Sequence, residues 1–272
     1  ASLSKIAREH RNRLLDAFSE SLQQIRDDAT IKDIAALMES GDIEGVLRIL
    51  NINEASFEPM VTAIREAYRV GGKTGAEQIG KIPTSEGSIS FQFDVRSDRA
   101  ERVARELSSQ LVVEIVEQQR EMIRERMSQA IADGRNPRES ALDLVGRRDR
   151  FGSRKGGFIG MTRQQSASVQ RAREELESLD PRYLQRELRD KRFDAKVKKA
   201  IDNDEPLDQK SIKAATTQLQ QNTLDFRGKN IARTESITSL RAGQHESIRQ
   251  AIEQGDIDER DAQKVWDASG DA

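Results

Sequence analysis

The sequence predicts a mainly α fold, an elongated arrangement of many helices, some of them long. Three observations predict it. Apolar residues recur at three- and four-residue spacings over most of the chain, as at Leu14, Phe18, Leu22 and Ile25. Only five prolines interrupt 272 residues. Leu, Ile, Val and Phe together number 61, just above the roughly 20% below which charged chains tend to stay unfolded. So small an apolar core favours long helices and small apolar clusters that pack against a partner.

The composition excludes several classes of protein. The chain has no Cys, which excludes a disulfide framework and a thiolate zinc site. No apolar run approaches the roughly 18 residues of a membrane helix, so we expect neither a membrane span nor a signal peptide. The two histidines, His10 and His245, lack metal-ligand spacing. We therefore expect no metal, no cofactor and no catalytic residue, and we expect that the protein is not an enzyme.

Residues 1–82 form a predicted N-terminal helical region. The stretch Ala67–Thr74, AYRVGGKT, loosely matches a phosphate-binding loop. However, an amphipathic helix rather than a strand precedes it, and its first position is Ala67. We therefore predict that Gly71 and Gly72 end the helix that carries Tyr68.

Residues 83–145 form the second predicted region, an extended arm followed by a long helix. The arm is a short extended or β segment near 88–96, where apolar residues alternate with polar ones. A single strand must pair with something. The alternating residues are Ile89, Phe91, Phe93 and Val95.

The long helix of this region begins at a predicted capping box of Asp98 and Glu101 and continues to about residue 133. At 1.5 Å per residue it would be about 50 Å long. A second start signal, Asn136 with Pro137, predicts a short helix that ends at Gly146.

Residues 146–272 form the third predicted region, and it opens with a Gly- and Arg-rich loop or hairpin near 146–160. Residues 135–200 carry 18 basic and 10 acidic groups, whereas acidic groups exceed basic ones on both sides. Basic side chains in a mobile loop can lie along phosphates without reading sequence. A contact with an acidic protein surface and a purely solvated loop are the alternatives. The candidate contact residues are Arg147, Arg148, Arg150, Arg154 and Lys155.

Two aromatic residues accompany these cations. Phe151 and Phe158 could stack on bases, but filling an apolar pocket is the favoured interpretation.

The rest of the third region reads as helices. Thr162 predicts a helix cap, and Asp180 with Pro181 opens a further helix. From Ser211 to about Gln254 apolar residues recur at helical spacing, with Gly228 and Gly243 as points where this long helix could bend or break.

Five stretches of this region stand out in order along the chain: GGFIGMTRQQ at 156–165, KRFDAKVKKAI at 191–201, RGKNIARTE at 227–235, SLRAGQHESI at 239–248 and VWDASGDA at 265–272. Together they resemble the phage head morphogenesis family, the minor head proteins similar to phage Mu F. The resemblance covers about residues 146–272, and Ile231–Glu235 and Val265–Asp271 are its most telling parts. In the family the Trp–Asp segment usually continues into an Arg-x-Arg-x-x-His stretch, which does not follow here, so we expect either a clipped sequence or a member that lacks this element.

The resemblance implies a structural protein of the virion. Family members lie inside the head near the portal vertex, in few copies, and influence head assembly, DNA packaging or DNA delivery. It implies portal protein or major capsid protein as partners, possible contact with packaged double-stranded DNA, several copies per particle, synthesis in the host bacterial cytoplasm and no membrane contact in the virion. The matching motif residues, which we interpret as structural, are Arg233, Thr234, Glu235, Trp266 and Asp267.

Two other functions remain open at this point. One is a non-specific DNA-binding protein that is ejected with the genome. The other is a lytic or nuclease enzyme, which the absence of Cys and the scarcity of His disfavour.

Overall fold

The computed structural model describes residues 3–84 and 87–260, and in this part of the chain the fold is mainly helical, as predicted. None of the helices in these residues is both long and apolar enough to cross a membrane. The α-helices within the described ranges are α1 (Leu3–Asp28), α2 (Ile31–Glu39), α3 (Ile43–Leu50), α4 (Glu58–Ile79), α5 (Asp98–Ala132), α6 (Pro137–Val145), α7 (Arg163–Glu177), α8 (Asp194–Asn203) and α9 (Gln209–Glu253).

Two short antiparallel hairpins accompany the helices. In the first, β1 (Lys81–Thr84) pairs with β2 (Gly87–Ser90). The predicted extended segment near 88–96 is therefore a strand only at its start, and its partner is the stretch immediately before it. The second hairpin pairs β3 (Arg147–Arg148) with β4 (Arg154–Lys155).

The chain divides into two compact units, and each draws on more than one of the regions 1–82, 83–145 and 146–272. Helices α1, α5 and α9 contribute residues to both units. Unit 1 comprises Ala1–Ala17, Glu58–Val112 and Ile231–Ala272, and unit 2 comprises Phe18–Phe57 and Val113–Asn230.

Two of the four predicted α-helix starts, at Asn136 and Thr162, follow the sequence signals. Asn136 accepts a hydrogen bond from the backbone N–H of Glu139 at 3.1 Å at the start of α6. Thr162 and Gln165 form a reciprocal capping box at the start of α7. Asp180 opens only a short 3₁₀ turn, Pro181–Gln185.

The predicted capping box at the start of α5 is wrong by one residue. The cap is Ser97, whose Oγ accepts a hydrogen bond from the N–H of Ala100 at 3.3 Å and whose carbonyl accepts one from Glu101 at 3.0 Å. Asp98 is instead the first helical residue, where the positive end of the helix dipole stabilises its carboxylate.

The predicted helix stop at Gly71 and Gly72 is wrong, because α4 runs through both glycines to Ile79. Their role is close packing within unit 1. A Cβ atom on Gly71 would overlap the backbone carbonyl of Leu240, and one on Gly243 would overlap the carbonyl of Tyr68. The backbones of α4 and α9 therefore touch at a crossing that only glycine permits.

Helix α9 likewise continues through Gly228 and Gly243 without a break. The glycines that weaken the helical pattern in the sequence are thus compatible with one helix of 45 residues. At Gly243 the packing against α4 offsets the low helix propensity of glycine.

Candidate assembly and nucleic-acid interface

The predicted basic segment is the β3–β4 hairpin of unit 2, in which Arg147 lies opposite Lys155. Asp149 organises its turn: the carboxylate Oδ1 accepts hydrogen bonds from the backbone N–H of Phe151 at 2.8 Å and of Ser153 at 3.1 Å. Asp suits this position because its short side chain can bond the backbone two residues further on. The hairpin thus has a defined turn.

Arg154 anchors this hairpin from inside. Its side chain is only 7% exposed, and its Nη1 and Nη2 donate hydrogen bonds to the carbonyls of Gly146 and Ala29, both at 3.1 Å. Burial, together with the nearby Arg148, lowers the pKa of Arg154. A guanidinium used in this way satisfies buried backbone acceptors, so its charge is not presented at the surface.

Arg147, a basic residue of β3, lies close to two acidic side chains of unit 2. This half-buried side chain donates to Glu139 at 2.6 Å and lies 3.3 Å from Asp143. Both carboxylates lie on α6. They precede Arg147 by eight and four residues, so the helical spacing in the sequence already places them on one face. The signal for this neutralisation was therefore present in the sequence.

The two more exposed strand cations also have acidic neighbours. Arg148 lies 3.5 Å from Asp27, and the Nζ atom of Lys155 lies 3.7 Å from Asp149. Arg148, Asp27 and Lys155 are solvent-exposed and Asp149 is half-buried. Ion pairs at such exposed positions contribute little to stability and are screened by salt. They nevertheless reduce the net positive charge that the hairpin offers to a polyanion.

The tip of the hairpin is different. The guanidinium carbon of Arg150 lies 4.6 Å from the centre of the Phe151 ring, within cation–π range. Phe151 is 77% exposed, more than the other large apolar side chains of the described residues. The expectation that this aromatic residue fills an apolar pocket is wrong. Hereafter, Arg150 and Phe151 are called the hairpin tip.

The glycine-rich stretch after the hairpin lies in the core of unit 2. Phe158 is 4% exposed, as predicted for an aromatic residue that fills a pocket. Gly157 and Gly160 have φ angles of +84° and +99°, which residues with a Cβ rarely adopt. Only glycine therefore follows this path easily, and its buried backbone groups need partners.

Polar side chains supply those partners. Gln119 accepts a hydrogen bond from the N–H of Gly160 at 2.6 Å and donates one to the carbonyl of Met161 at 3.0 Å. Gln220 accepts from Gly157 at 3.0 Å. Arg26 donates to the carbonyl of Ile159, and burial lowers the pKa of this arginine to about 10. The sequence did not reveal these roles, because a single buried Gln or Arg has no pattern.

Three of the five residues that carry the resemblance, Arg233, Thr234 and Glu235, lie on α9. Arg233 and Thr234 are exposed, and Glu235 is half-buried. Within the described part of the chain, the guanidinium of Arg233 makes no ion pair or hydrogen bond. Trp266 and Asp267 lie outside the described residues.

Comparison of the chain with protein-family models, with curated proteins and with solved structures yields no match. Within residues 3–84 and 87–260, no group of three or more His, Asp or Glu side chains is arranged to hold a metal ion. The hairpin tip, on a hairpin whose base is anchored by Arg154, is therefore the feature from which we infer a function.

Proposed function

We propose that this chain is a structural minor head protein of a tailed bacteriophage, located inside the head near the portal vertex. The sequence support is the ordered series of stretches from 156–165 to 265–272 that resembles the Mu F-like family. The proposed partners are the portal protein and the major capsid protein, with several copies of the chain in each particle. In this role the chain aids head assembly, DNA packaging or DNA delivery.

One observation carries the choice of a protein contact. Phe151 is 77% exposed on a hairpin whose base is held by the buried Arg154. Holding an apolar ring in water is unfavourable, and aromatic and Arg side chains are enriched among the residues that dominate protein interfaces. The hairpin tip thus has the composition of an anchor that inserts into a pocket of a partner protein.

Contact with packaged DNA has weaker support. Of the five predicted contact cations, Arg154 is buried, and Arg147, Arg148 and Lys155 lie within 4.0 Å of carboxylates. Affinity for duplex DNA depends on cations that replace counterions along the phosphates. Of this set only Arg150 is exposed and makes no ion pair in the described residues, so the hairpin favours a protein over a polyanion.

The test is incorporation into particles. Particles assembled with the variant Phe151→Ser should contain about tenfold fewer copies of the chain than wild-type particles, because an anchor residue contributes about 2 kcal/mol or more to binding. Quantitative mass spectrometry of purified heads measures this. Phe226→Ser is the matched control, since Phe226 is a second exposed Phe of unit 2, at 50%.

The outcomes separate the alternatives. Equal loss in both variants would point to non-specific damage, and unchanged incorporation of Phe151→Ser would exclude the hairpin tip as an anchor. A chain found only outside particles would overturn the virion role itself. A reconstruction of the head without imposed symmetry then locates the copies.

A salt titration addresses the DNA alternative. The triple variant Arg148→Ala, Arg150→Ala, Lys155→Ala should bind duplex DNA with the same salt dependence as the wild type. A slope reduced by about three would show that these cations contact phosphates, and would replace the protein contact by a DNA contact.

A further inference from the structure

A second surface feature lies in unit 1, where α4, α5 and the segment before α5 enclose an open cleft of about 530 Å³. Its walls are the face of α4 that carries Arg65 and Arg69, the turn of α5 that carries Arg105, and Arg96 of the connecting segment. Four arginines therefore line one cleft, although their sequence positions gave no sign of it.

Three of these cations are free to bind a ligand. Arg69 is used within the chain, because its Nε and Nη2 donate to the two carboxylate oxygens of Glu66 at 2.8 and 2.5 Å. This bidentate pair holds the pKa of Glu66 below its usual value. By contrast, the side chains of Arg65, Arg96 and Arg105 are exposed, and in the described residues they make no ion pair or hydrogen bond.

The cleft also has an acidic and an apolar component. Glu101 lies in the first turn of α5, where the positive end of the helix dipole offsets part of its charge. The half-buried Val95 and Ala104 contribute the apolar wall. The Tyr68 ring is fully buried and packs edge-on against Phe93, with the ring centres 6.1 Å apart. The site therefore combines a net positive rim with apolar surface.

We propose that this cleft binds a short acidic segment of a partner protein, with carboxylates on the three free arginines and an apolar side chain against the wall. Arg binds carboxylates bidentately and is weakly hydrated, so it suits such contacts. A nucleic acid fits less well. The buried Tyr68 ring offers no face on which a base could stack. The inference uses neither the hairpin tip nor the proposed virion role.

The test is fluorescence anisotropy with the full chain. The probe is a fluorescein-labelled peptide with Asp and Glu on both sides of a pair of leucines. We expect saturable binding that weakens as salt is added. The variant Arg65→Glu, Arg96→Glu, Arg105→Glu should bind the peptide about tenfold or more weakly, because three attractive contacts become repulsive.

A matched control exists on α8 and the turn before it. The variant Lys191→Glu, Lys198→Glu, Lys199→Glu makes the same change in net charge at exposed positions of unit 2. It should retain affinity within about twofold, since its sites are not part of the cleft. Equal weakening in both variants would mean that only overall charge attracts the peptide, and would overturn the proposal.

Two further probes complete the test. A peptide with both leucines replaced by serine should bind several-fold more weakly, because the apolar wall then loses its contact. Single-stranded DNA of equal charge should bind more weakly than the leucine peptide. Absence of peptide binding would overturn an acidic protein segment as the ligand. DNA binding that is tighter than peptide binding, and that is lost in the variant Arg65→Glu, Arg96→Glu, Arg105→Glu, would overturn it as well. Circular dichroism confirms that each variant retains its helices.

Discussion

Glycine does opposite work in the two units. In unit 1, Gly71 and Gly243 lie inside continuous helices and allow two backbones to touch. In unit 2, Gly157 and Gly160 lie in an irregular buried stretch with left-handed φ angles. The first use removes a side chain to make room, whereas the second gives the backbone an unusual path.

The difference has an energetic consequence. Helix backbones satisfy their own hydrogen bonds, so the crossing in unit 1 depends on space alone. An irregular buried backbone does not, so unit 2 needs Gln119, Gln220 and Arg26 as partners. Unit 1 is thus sensitive to added volume, and unit 2 is sensitive to lost polar groups.

The largest expected effect is at the crossing. Gly243→Ala should lower the free energy of unfolding by about 3 kcal/mol, because the new Cβ overlaps the carbonyl of Tyr68. Helix propensity alone would raise stability by about 1 kcal/mol, so even the sign is diagnostic. Urea denaturation followed by circular dichroism measures the change.

The control for this variant is Thr234→Ala, at an exposed position of the same helix, which should change stability by no more than about 0.5 kcal/mol. A stabilising Gly243→Ala would show that the backbones of α4 and α9 are not in contact.

The next effect is in unit 2. Arg154→Leu should lower the free energy of unfolding by about 2 kcal/mol, because the buried carbonyls of Gly146 and Ala29 lose their donor. Arg150→Leu, four residues away in the same hairpin but exposed, should cost no more than about 0.5 kcal/mol. Equal costs in the same denaturation experiment would refute the distinction between anchor and tip.

A smaller, pH-dependent effect is expected at His10 of unit 1, which is 5% exposed. Burial and the nearby Arg13 lower its pKa, against weaker opposing effects of Glu66 and Glu9. A histidine whose pKa is lower when folded takes up its proton more readily when unfolded. Its destabilising contribution is therefore absent well above pH 6.5 and grows as pH falls towards the folded pKa.

The variant His10→Gln tests this by difference. Between pH 7.5 and 5, we expect its stability to fall less than that of the wild type, because the remaining slope comes from groups common to both. Parallel stability curves from urea titrations across this range would show that His10 is not protonated differently on unfolding.

The smallest expected effect is at Phe151. Phe151→Ser should change the free energy of unfolding by no more than about 0.5 kcal/mol, because an exposed ring loses almost no packing. Thermal and urea unfolding of the purified variant measure it. A large loss would mean that the ring is covered within the chain, and would remove the basis for a docking anchor.

Local signals predicted most elements, and contacts between distant segments decided the rest. Asn136 and Thr162 predict the starts of their helices because the side chain of a cap residue accepts a hydrogen bond from the backbone N–H three residues further on. Gly71 was misread as a helix stop because its reason lies at Leu240, far along the chain. The same holds for the basic segment. Its charges can be counted in the sequence, whereas the hydrogen bond from the buried Arg154 to the carbonyl of Ala29 cannot be predicted from it.

The order of segments along the chain affects synthesis. The residues of unit 2 end at Asn230, whereas unit 1 requires residues from Ile231 onward. At roughly 5 to 20 residues per second, the remaining part of α9 needs about 1 to 5 s to be translated. During that interval the face of α4 that carries Gly71 has no helix to pack against. All residues of unit 2 are therefore translated before the part of α9 that completes unit 1.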